Sequence, residues 1–126
     1  MAQRHHEARA RGSAAEWKAA LLLRAKGYRI LARSFRVRGG ELDIVALPPF
    51  WHPRMVVFVE VRARGSMEAA AESVNAGKRE HVMWAASQFC ARRRNLAQLP
   101  WRFDLILMAP GRWPHHMPNA WSPASR

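Results

Sequence analysis

Residues 39–64 read GGELDIVALPPFWHPRMVVFVEVRAR, and this stretch sets the fold. It holds two short runs rich in Val and Ile, Leu42–Leu47 and Met55–Val61, each interrupted by carboxylates. Their length and β-branched content predict strands, and the Pro/Trp/His segment between them predicts a connecting loop. Side chains alternate faces along a strand, so Glu41, Asp43 and Val45 share one face of the first strand, while Phe58, Glu60 and Arg62 share one face of the second. If residues 48–53 close a hairpin, Leu47 falls opposite Arg54 or Met55, and Asp43 opposite Val59 or Glu60. Facing or diagonal positions in an antiparallel pair lie about 4.5–8 Å apart, close enough for one divalent cation to bridge Asp43 and Glu60. Two solvated carboxylates paired with surface arginines would also satisfy the pattern. Against that stands the apolar character of the flanking runs, since acids in a sheet interior need a partner or a metal.

The surrounding chain is strongly basic. Its 126 residues carry 21 Lys and Arg against 9 Asp and Glu, a net charge of +12, and three of the nine acids lie in the central stretch. This length suits one domain with a real core. The charge points to a polyanionic partner, nucleic acid before membrane, and arginine dominates it, the side chain that grips phosphate with two parallel hydrogen bonds. Solubility alone could also account for the excess. No apolar run approaches the ~20 residues of a membrane-spanning helix. The start of the chain lacks the apolar segment of an export signal, and the single cysteine, Cys90, excludes an intrachain disulfide; a cytoplasmic location is the expectation.

Outward from the centre, residues 1–12 read as a basic arm. Ser13-Ala-Ala-Glu16 has the form of a capping box, with Ser13 as N-cap and Glu16 reaching back to it. A helix should follow to about Lys26, with Trp17, Leu21, Ala25 and Tyr28 as its apolar stripe and Gly27 as its stop. Tyr28–Val37 reads as a strand whose alternation fails near Ala32–Ser34, the mark of a bulge or an edge position. Residues 64–73 are small and polar and read as a loop. From Val74 to Arg93 the spacing of Lys78, Val82, Ala85 and Phe89 predicts a helix with one face on the sheet. Trp101–Ala109 is a further strand, and the four prolines from Pro110 onward predict an irregular tail over residues 110–126, laid on the core through Trp113 and Trp121. The domain thus spans residues 13–109 in the order α-β-β-β-α-β, an α/β fold with a mixed central sheet flanked by helices; the last strand–helix–strand unit should be a parallel crossover.

GELDIVA followed by VFVEVRAR, in this order of elements, resembles the PD-(D/E)XK nuclease superfamily with its restriction-endonuclease-like fold. More closely, the chain resembles the bacterial YraN-like family, related to archaeal Holliday junction resolvases. The matching residues are Glu16, Gly27-Tyr28, Gly40-Glu41-Leu42-Asp43, the Val57–Arg62 segment, Lys78 and Arg102-Phe103-Asp104, within about residues 12–109. The resemblance implies a nuclease cutting phosphodiesters of nucleic acid, DNA before RNA, with branched or damaged DNA as a substrate class. It implies Mg²⁺ or Mn²⁺ held by Asp43, Glu60 and the backbone carbonyl of Val61, oxygen ligands suited to these ions. Glu16 would be an accessory ligand or water-positioning group. Asp104, on a strand beside arginines, reads as an ion-pair partner.

Arg62 departs from the superfamily pattern, which has Lys there. A guanidinium stays protonated, so Arg62 can stabilise phosphorane charge but cannot act as a base. Lys78 is the candidate to supply the missing function. The opposite expectation, a non-catalytic nucleic-acid-binding module on the same fold, rests on the same departure, and a subunit serving only protein–protein contact is a third. Arg33, Arg36, Arg38, Arg64, Arg92, Arg93 and Arg94 are the candidate phosphate contacts, and a twofold homodimer would suit symmetric cutting of a junction.

Overall fold

The structure is a computed structural model that describes residues 2–122, with side chains from residue 14 onward. In chain order it comprises α1 (Ala2–Ala25), β1 (Arg29–Val37), β2 (Gly40–Leu47), β3 (Val56–Ala63), α2 (Met67–Glu72), α3 (Ala76–Ala91), a 3₁₀ turn (Arg94–Leu96), β4 (Trp101–Met108) and β5 (His115–Trp121). The five strands form one mixed sheet in the order β1-β2-β3-β4-β5. The pairs β1–β2, β2–β3 and β4–β5 are antiparallel. β3–β4 is parallel, as a strand–helix–strand crossover requires. The α/β mixed-sheet architecture therefore holds, with one short helix and one strand beyond the expected order.

Each face of the sheet is covered. α1 packs Ala15, Ala19, Ala20 and Leu23 against Ile44, Ala46, Val57, Val59, Ile106 and Met108. On the other face Val82, Ala85, Ala86 and Phe89 of α3 and Ala70 of α2 meet Leu42, Val45, Val56, Phe58 and Phe103. The anticipated α3 face thus packs on the sheet through Val82, Ala85 and Phe89. Phe103 stacks between Phe58 and Trp121, with ring centroids 5.5 and 5.1 Å away.

Four expectations are corrected. The helix does not start at Ser13. Its backbone runs back to Ala2 through a segment rich in Ala and Arg, both good helix formers, so Ser13 lies inside the helix and not at its start. The side chains of the expected arm, residues 1–12, and residues 123–126 of the tail lie outside the described residues. The stripe of α1 is also rotated: Trp17 and Leu21 are 52% and 42% exposed, while the small residues Ala15, Ala19 and Ala20 face the sheet. Alanines let the helix axis approach the strands, and Leu23 fills the remaining space. Within residues 64–73, Met67–Glu72 forms α2, because Ser66 caps it by accepting the Ala69 N–H at 3.1 Å and Met-Glu-Ala-Ala-Ala-Glu favours helix. Finally, the tail is not irregular throughout. His115–Trp121 adds β5 at the sheet edge, the position where Pro118 is tolerated. Trp121 is buried, whereas Trp113 is exposed.

The irregularity read in β1 is present. Its register shifts between Ile30 and Ala32, and Ser34 has φ +53° on an edge strand. Gly27 (φ +94°) ends α1, with the Tyr28 N–H bonded to the Leu23 carbonyl across six residues. Gly40 has a different duty: a Cβ there would lie 2.2 Å from the His81 carbonyl oxygen, so glycine is what lets α3 rest directly on the start of β2. That contact brings Lys78, one turn before His81, over the acidic strands.

Candidate active site

The β2–β3 ladder pairs Ile44 with Val59, Val45 with Phe58 and Ala46 with Val57. One step further the register brings Asp43 level with Glu60, one of the two partners read for it, whereas Leu47 falls level with Val56 and not with Arg54 or Met55. The ladder stops at this point, and the Val61 N–H bonds to the Asp43 side chain instead, at 2.9 Å to Oδ2. The carboxylate thus replaces a backbone acceptor at the place where the two strands part, and this holds Asp43 against β3.

Glu60 lies deeper, only 1% exposed, with Oε2 accepting from the Arg62 guanidinium at 3.0 Å. Its other oxygen, Oε1, is buried without a hydrogen-bond partner among the described residues, and so is Arg62 Nε. Burial, then the Asp43 charge beside it, pushes the Glu60 carboxyl up to about 8, against the pull of Arg62 and Lys78. Asp43 is raised too, chiefly by burial, while the Val61 N–H, Arg62 and Lys78 oppose the rise and Glu41 adds to it. Two like charges in a poorly solvated site cannot both ionise cheaply. A proton shared between them satisfies Oε1, and so does a cation.

Lys78 Nζ pairs with Glu41 Oε1 at 3.5 Å, and Glu41 Oε2 also meets Arg36 at 3.5 Å. Lys78 therefore stands at the site, bridged to Glu41, and its field reaches both inner carboxylates. Glu16 reaches across the fold to β1. It accepts from the Ser34 hydroxyl at 2.8 Å and 3.1 Å and lies 3.4 Å from Arg33 Nε. Burial raises its pKa most, the Ser34 hydrogen bond opposes this, and the Asp43 charge adds to it. Ser34 makes this contact from a left-handed backbone that non-glycine residues rarely adopt. The failed alternation near Ala32–Ser34 was the signal for it, but nothing in the pattern named Glu16 as the partner.

Of the seven arginines read as phosphate contacts, Arg33 and Arg36 are tied to Glu16 and Glu41. Arg38, Arg64, Arg92 and Arg94 are exposed. Arg93 lies 3.6 Å from the Phe89 ring centroid and donates to the Phe89 carbonyl. Arg92 and Arg93 both approach Phe35 of β1, which joins the basic edge strand to the basic end of α3.

A second polar cluster was only half visible. Asp104, fully buried, takes two hydrogen bonds from Arg102 and one from His116 Nε2, each 2.8 Å, and one from the Asn119 N–H at 2.9 Å. Arg102 also donates to the Tyr28 hydroxyl at 2.7 Å, and Lys26 Nζ lies 2.6 Å from His116 Nδ1. One neutral imidazole tautomer satisfies both His116 contacts, with Nε2–H donating and Nδ1 accepting. Burial raises the Asp104 pKa, but the hydrogen bonds from His116, Arg102 and Asn119 outweigh it and the net shift is downward. The Arg102–Asp104 pair agrees with the ion-pair reading; His116, Tyr28 and Lys26 were not anticipated. This cluster ties the turn between α1 and β1 to β4 and β5, on the sheet face opposite Glu60 by strand alternation.

Comparison with known proteins decides the family. The family model described as uncharacterised protein family UPF0102 matches residues 15–108. The chain belongs to this family. It is 42% identical over 123 residues to a UPF0102 protein of Maricaulis maris, covering 98% of this chain and 94% of the relative. A UPF0102 protein of Paramagnetospirillum magneticum is 45% identical over 121 residues, covering 93% and 91%. One from Methylorubrum extorquens is 44% identical over 110 residues, covering 87% and 83%. The matched span runs from the second half of α1 to the end of β4, so it contains Glu16, Asp43, Glu60, Arg62 and Lys78 but leaves out His116 and β5. No helix among the described residues is long and apolar enough to cross a membrane.

Proposed function

We propose that this UPF0102 protein is a divalent-metal-dependent nuclease of the restriction-endonuclease-like class, cutting phosphodiesters of nucleic acid, with branched or damaged DNA as the favoured substrate. The observation that carries the reading is the Asp43–Glu60 pair, two raised carboxyls at the parting of two strands, with Glu60 Oε1 buried and unpartnered. Buried carboxylates left in this state are costly unless a proton or a cation joins them. The donor set fits Mg²⁺ or Mn²⁺: Mg²⁺ commonly takes one or two carboxylates and fills its remaining positions with water and substrate phosphate. Among the described residues no third His, Cys, Asp or Glu side chain completes a cluster.

Asp43 and Glu60, with the Val61 carbonyl, would hold the ion, which supplies Lewis-acid polarisation of the phosphate. Arg62, its guanidinium 3.0 Å from Glu60, places a permanent positive charge where the phosphorane oxygens develop. Lys78 sits over the same carboxylates and is the group able to exchange a proton. Glu16, fixed by Ser34 and Arg33, presents its carboxylate from the α1 side and orients water near Asp43. Arg38, Arg64, Arg92 and Arg94, all exposed, would hold the strand by its phosphates.

One observation favours the alternative, a nucleic-acid-binding module without catalysis: Arg62 is held 3.0 Å from Glu60 as a close structural pair. The two readings separate in a cleavage assay with Mg²⁺ and Mn²⁺ on linear, single-stranded and junction DNA and on structured RNA. Arg62→Ala should lower the cleavage rate by about a hundredfold, the usual cost of one transition-state donor, while weakening binding much less. Arg62→Lys should keep or raise activity, and Lys78→Ala should do less harm in that background, because both substitutions act on one function. Wild type and Arg62→Lys both inert on every substrate, yet both binding DNA, would make the binding module the correct reading.

The pH dependence provides a separate check. In the metal-free protein the Glu60 carboxyl, at about 8 in the folded state against 4.5 when unperturbed, keeps its proton where the unfolded chain has lost it. Its contribution to stability is therefore complete below pH 4.5 and declines as pH rises to about 8. Metal binding must displace that proton, so Mn²⁺ affinity should climb by up to about tenfold per pH unit below the Glu60 pKa and then level off. Calorimetry in buffers of different ionisation enthalpy should detect the released proton at pH 7. A pH-independent affinity with no proton release would remove Glu60 from the ligand set.

A further inference from the structure

At the other end of β2 lies a half-open cleft of about 280 Å³, floored by Leu31, Leu47 and Leu96 and rimmed by Arg29, Arg54 and Arg93. These arginines come from three separate places: the start of β1, the approach to β3 and the end of α3. No acidic residue lines the cleft. Arg93 has a structural duty, lying on the Phe89 ring and bonded to the Phe89 carbonyl. Arg29 and Arg54 have none: both are exposed at the rim, and among the described residues neither makes an ion pair or a side-chain hydrogen bond. Three guanidiniums gathered around one concavity repel one another, a cost that an anion between them would reverse. Leu47 is four residues beyond Asp43, so the cleft lies about 13 Å along the strand from the carboxylate pair and forms a separate site.

We propose that this cleft is a phosphate-binding site for a nucleotide phosphomonoester, distinct from the carboxylate site. Its chemistry selects the ligand. Arginine holds phosphate through paired hydrogen bonds, and three arginines suit a monoester better than an internal diester, because a phosphomonoester carries about −1.5 to −2 at pH 7. The volume falls at the lower limit of about 300 Å³ for small-molecule clefts, room for a phosphate with its sugar rather than for a continuous backbone. The leucine floor accepts the apolar side of that sugar. A free mononucleotide and the phosphorylated end of a strand share this chemistry.

The test compares short single strands of one sequence bearing a 5′-phosphate, a 3′-phosphate or no terminal phosphate. Binding is read by fluorescence anisotropy in EDTA, so that the carboxylate site plays no part. Wild type should prefer one phosphorylated end by about tenfold, the scale of one charge-assisted contact. The Arg29→Gln/Arg54→Gln double variant should lose that preference while keeping the affinity for the unphosphorylated strand; both residues are at the rim, and an unchanged melting curve confirms its fold. Asp43→Asn should keep the preference. Displacement of the phosphorylated strand by nucleoside 5′-monophosphate would identify a site that also takes free nucleotides; a preference that resists displacement would assign it to strand ends. Equal binding of all three strands by wild type overturns the proposal. So does a uniform loss across the three in the double variant, which would make these arginines general backbone contacts. A preference erased by Asp43→Asn would return the phosphate to the carboxylate site.

Discussion

Asp43→Asn is expected to abolish Mn²⁺ binding and to lower any metal-dependent cleavage by about a thousandfold or more, while the protein stays folded. Asparagine is the informative substitution because its side-chain oxygen can still accept the Val61 N–H, which Asp43 now bonds at 2.9 Å. Alanine would lose the charge and also strand that N–H at the parting of β2 and β3, adding about 1–3 kcal/mol of destabilisation unrelated to metal. Removing the Asp43 charge also relieves Glu60, whose pKa is raised first by burial and next by Asp43. The metal-free Asp43→Asn variant should therefore melt no lower than wild type at pH 8, and Mn²⁺ should no longer raise its melting temperature. Stability kept while binding is lost is the signature of a site held strained for function. If Mn²⁺ stabilises variant and wild type equally, the ion binds elsewhere and the proposed site is wrong.

The central pair of strands was legible because its information is local. Alternation, run length and the Pro-rich loop define both strands but leave their register open by a residue or two, because the number of residues that the loop takes up is not written in the pattern; the ladder brings Asp43 level with Glu60. The same holds for the face of α3, where Val82, Ala85 and Phe89 recur at helical spacing. α1 was misread because Trp17 and Leu21 are large apolar side chains at helical spacing, whereas the distance between helix and sheet favours Ala15, Ala19 and Ala20. Hydrophobicity ranks side chains by transfer energy, but packing selects them by volume. β5 was hidden for a related reason: four prolines argue against a strand, yet an edge strand needs only one side of its backbone. Glu16 could be read as a cap because its real partners, Ser34 and Arg33, lie across the fold and leave no mark in local spacing.

Asp104→Ala should be the most destabilising single change outside the hydrocarbon core, on the order of 3–5 kcal/mol, because it deletes one member of a fully buried ion pair. Its carboxylate accepts from Arg102, His116 and the Asn119 backbone, and each of these would lose its partner together. Arg102 would suffer most, as a mostly buried guanidinium left with Tyr28 as its remaining oxygen partner. Asn119 adopts φ +53° where the β4–β5 register shifts, and its N–H points to Asp104, so β5 should loosen from the sheet edge as well. A drop in melting temperature on the order of 10–20 °C follows from the entropy of unfolding a chain of this size. Asp104→Asn should cost less, since an amide oxygen keeps part of the hydrogen bonding. The Asp104→Asn/Arg102→Met double variant should recover part of the Arg102 penalty, because the uncompensated charge is then gone. The cluster lies on the sheet face opposite Glu60, so Mn²⁺ affinity measured well below the melting transition should be unchanged. A mild loss of stability, or a loss of metal binding by the folded variant, would contradict its assignment as a structural tie between the edge strand and the turn after α1.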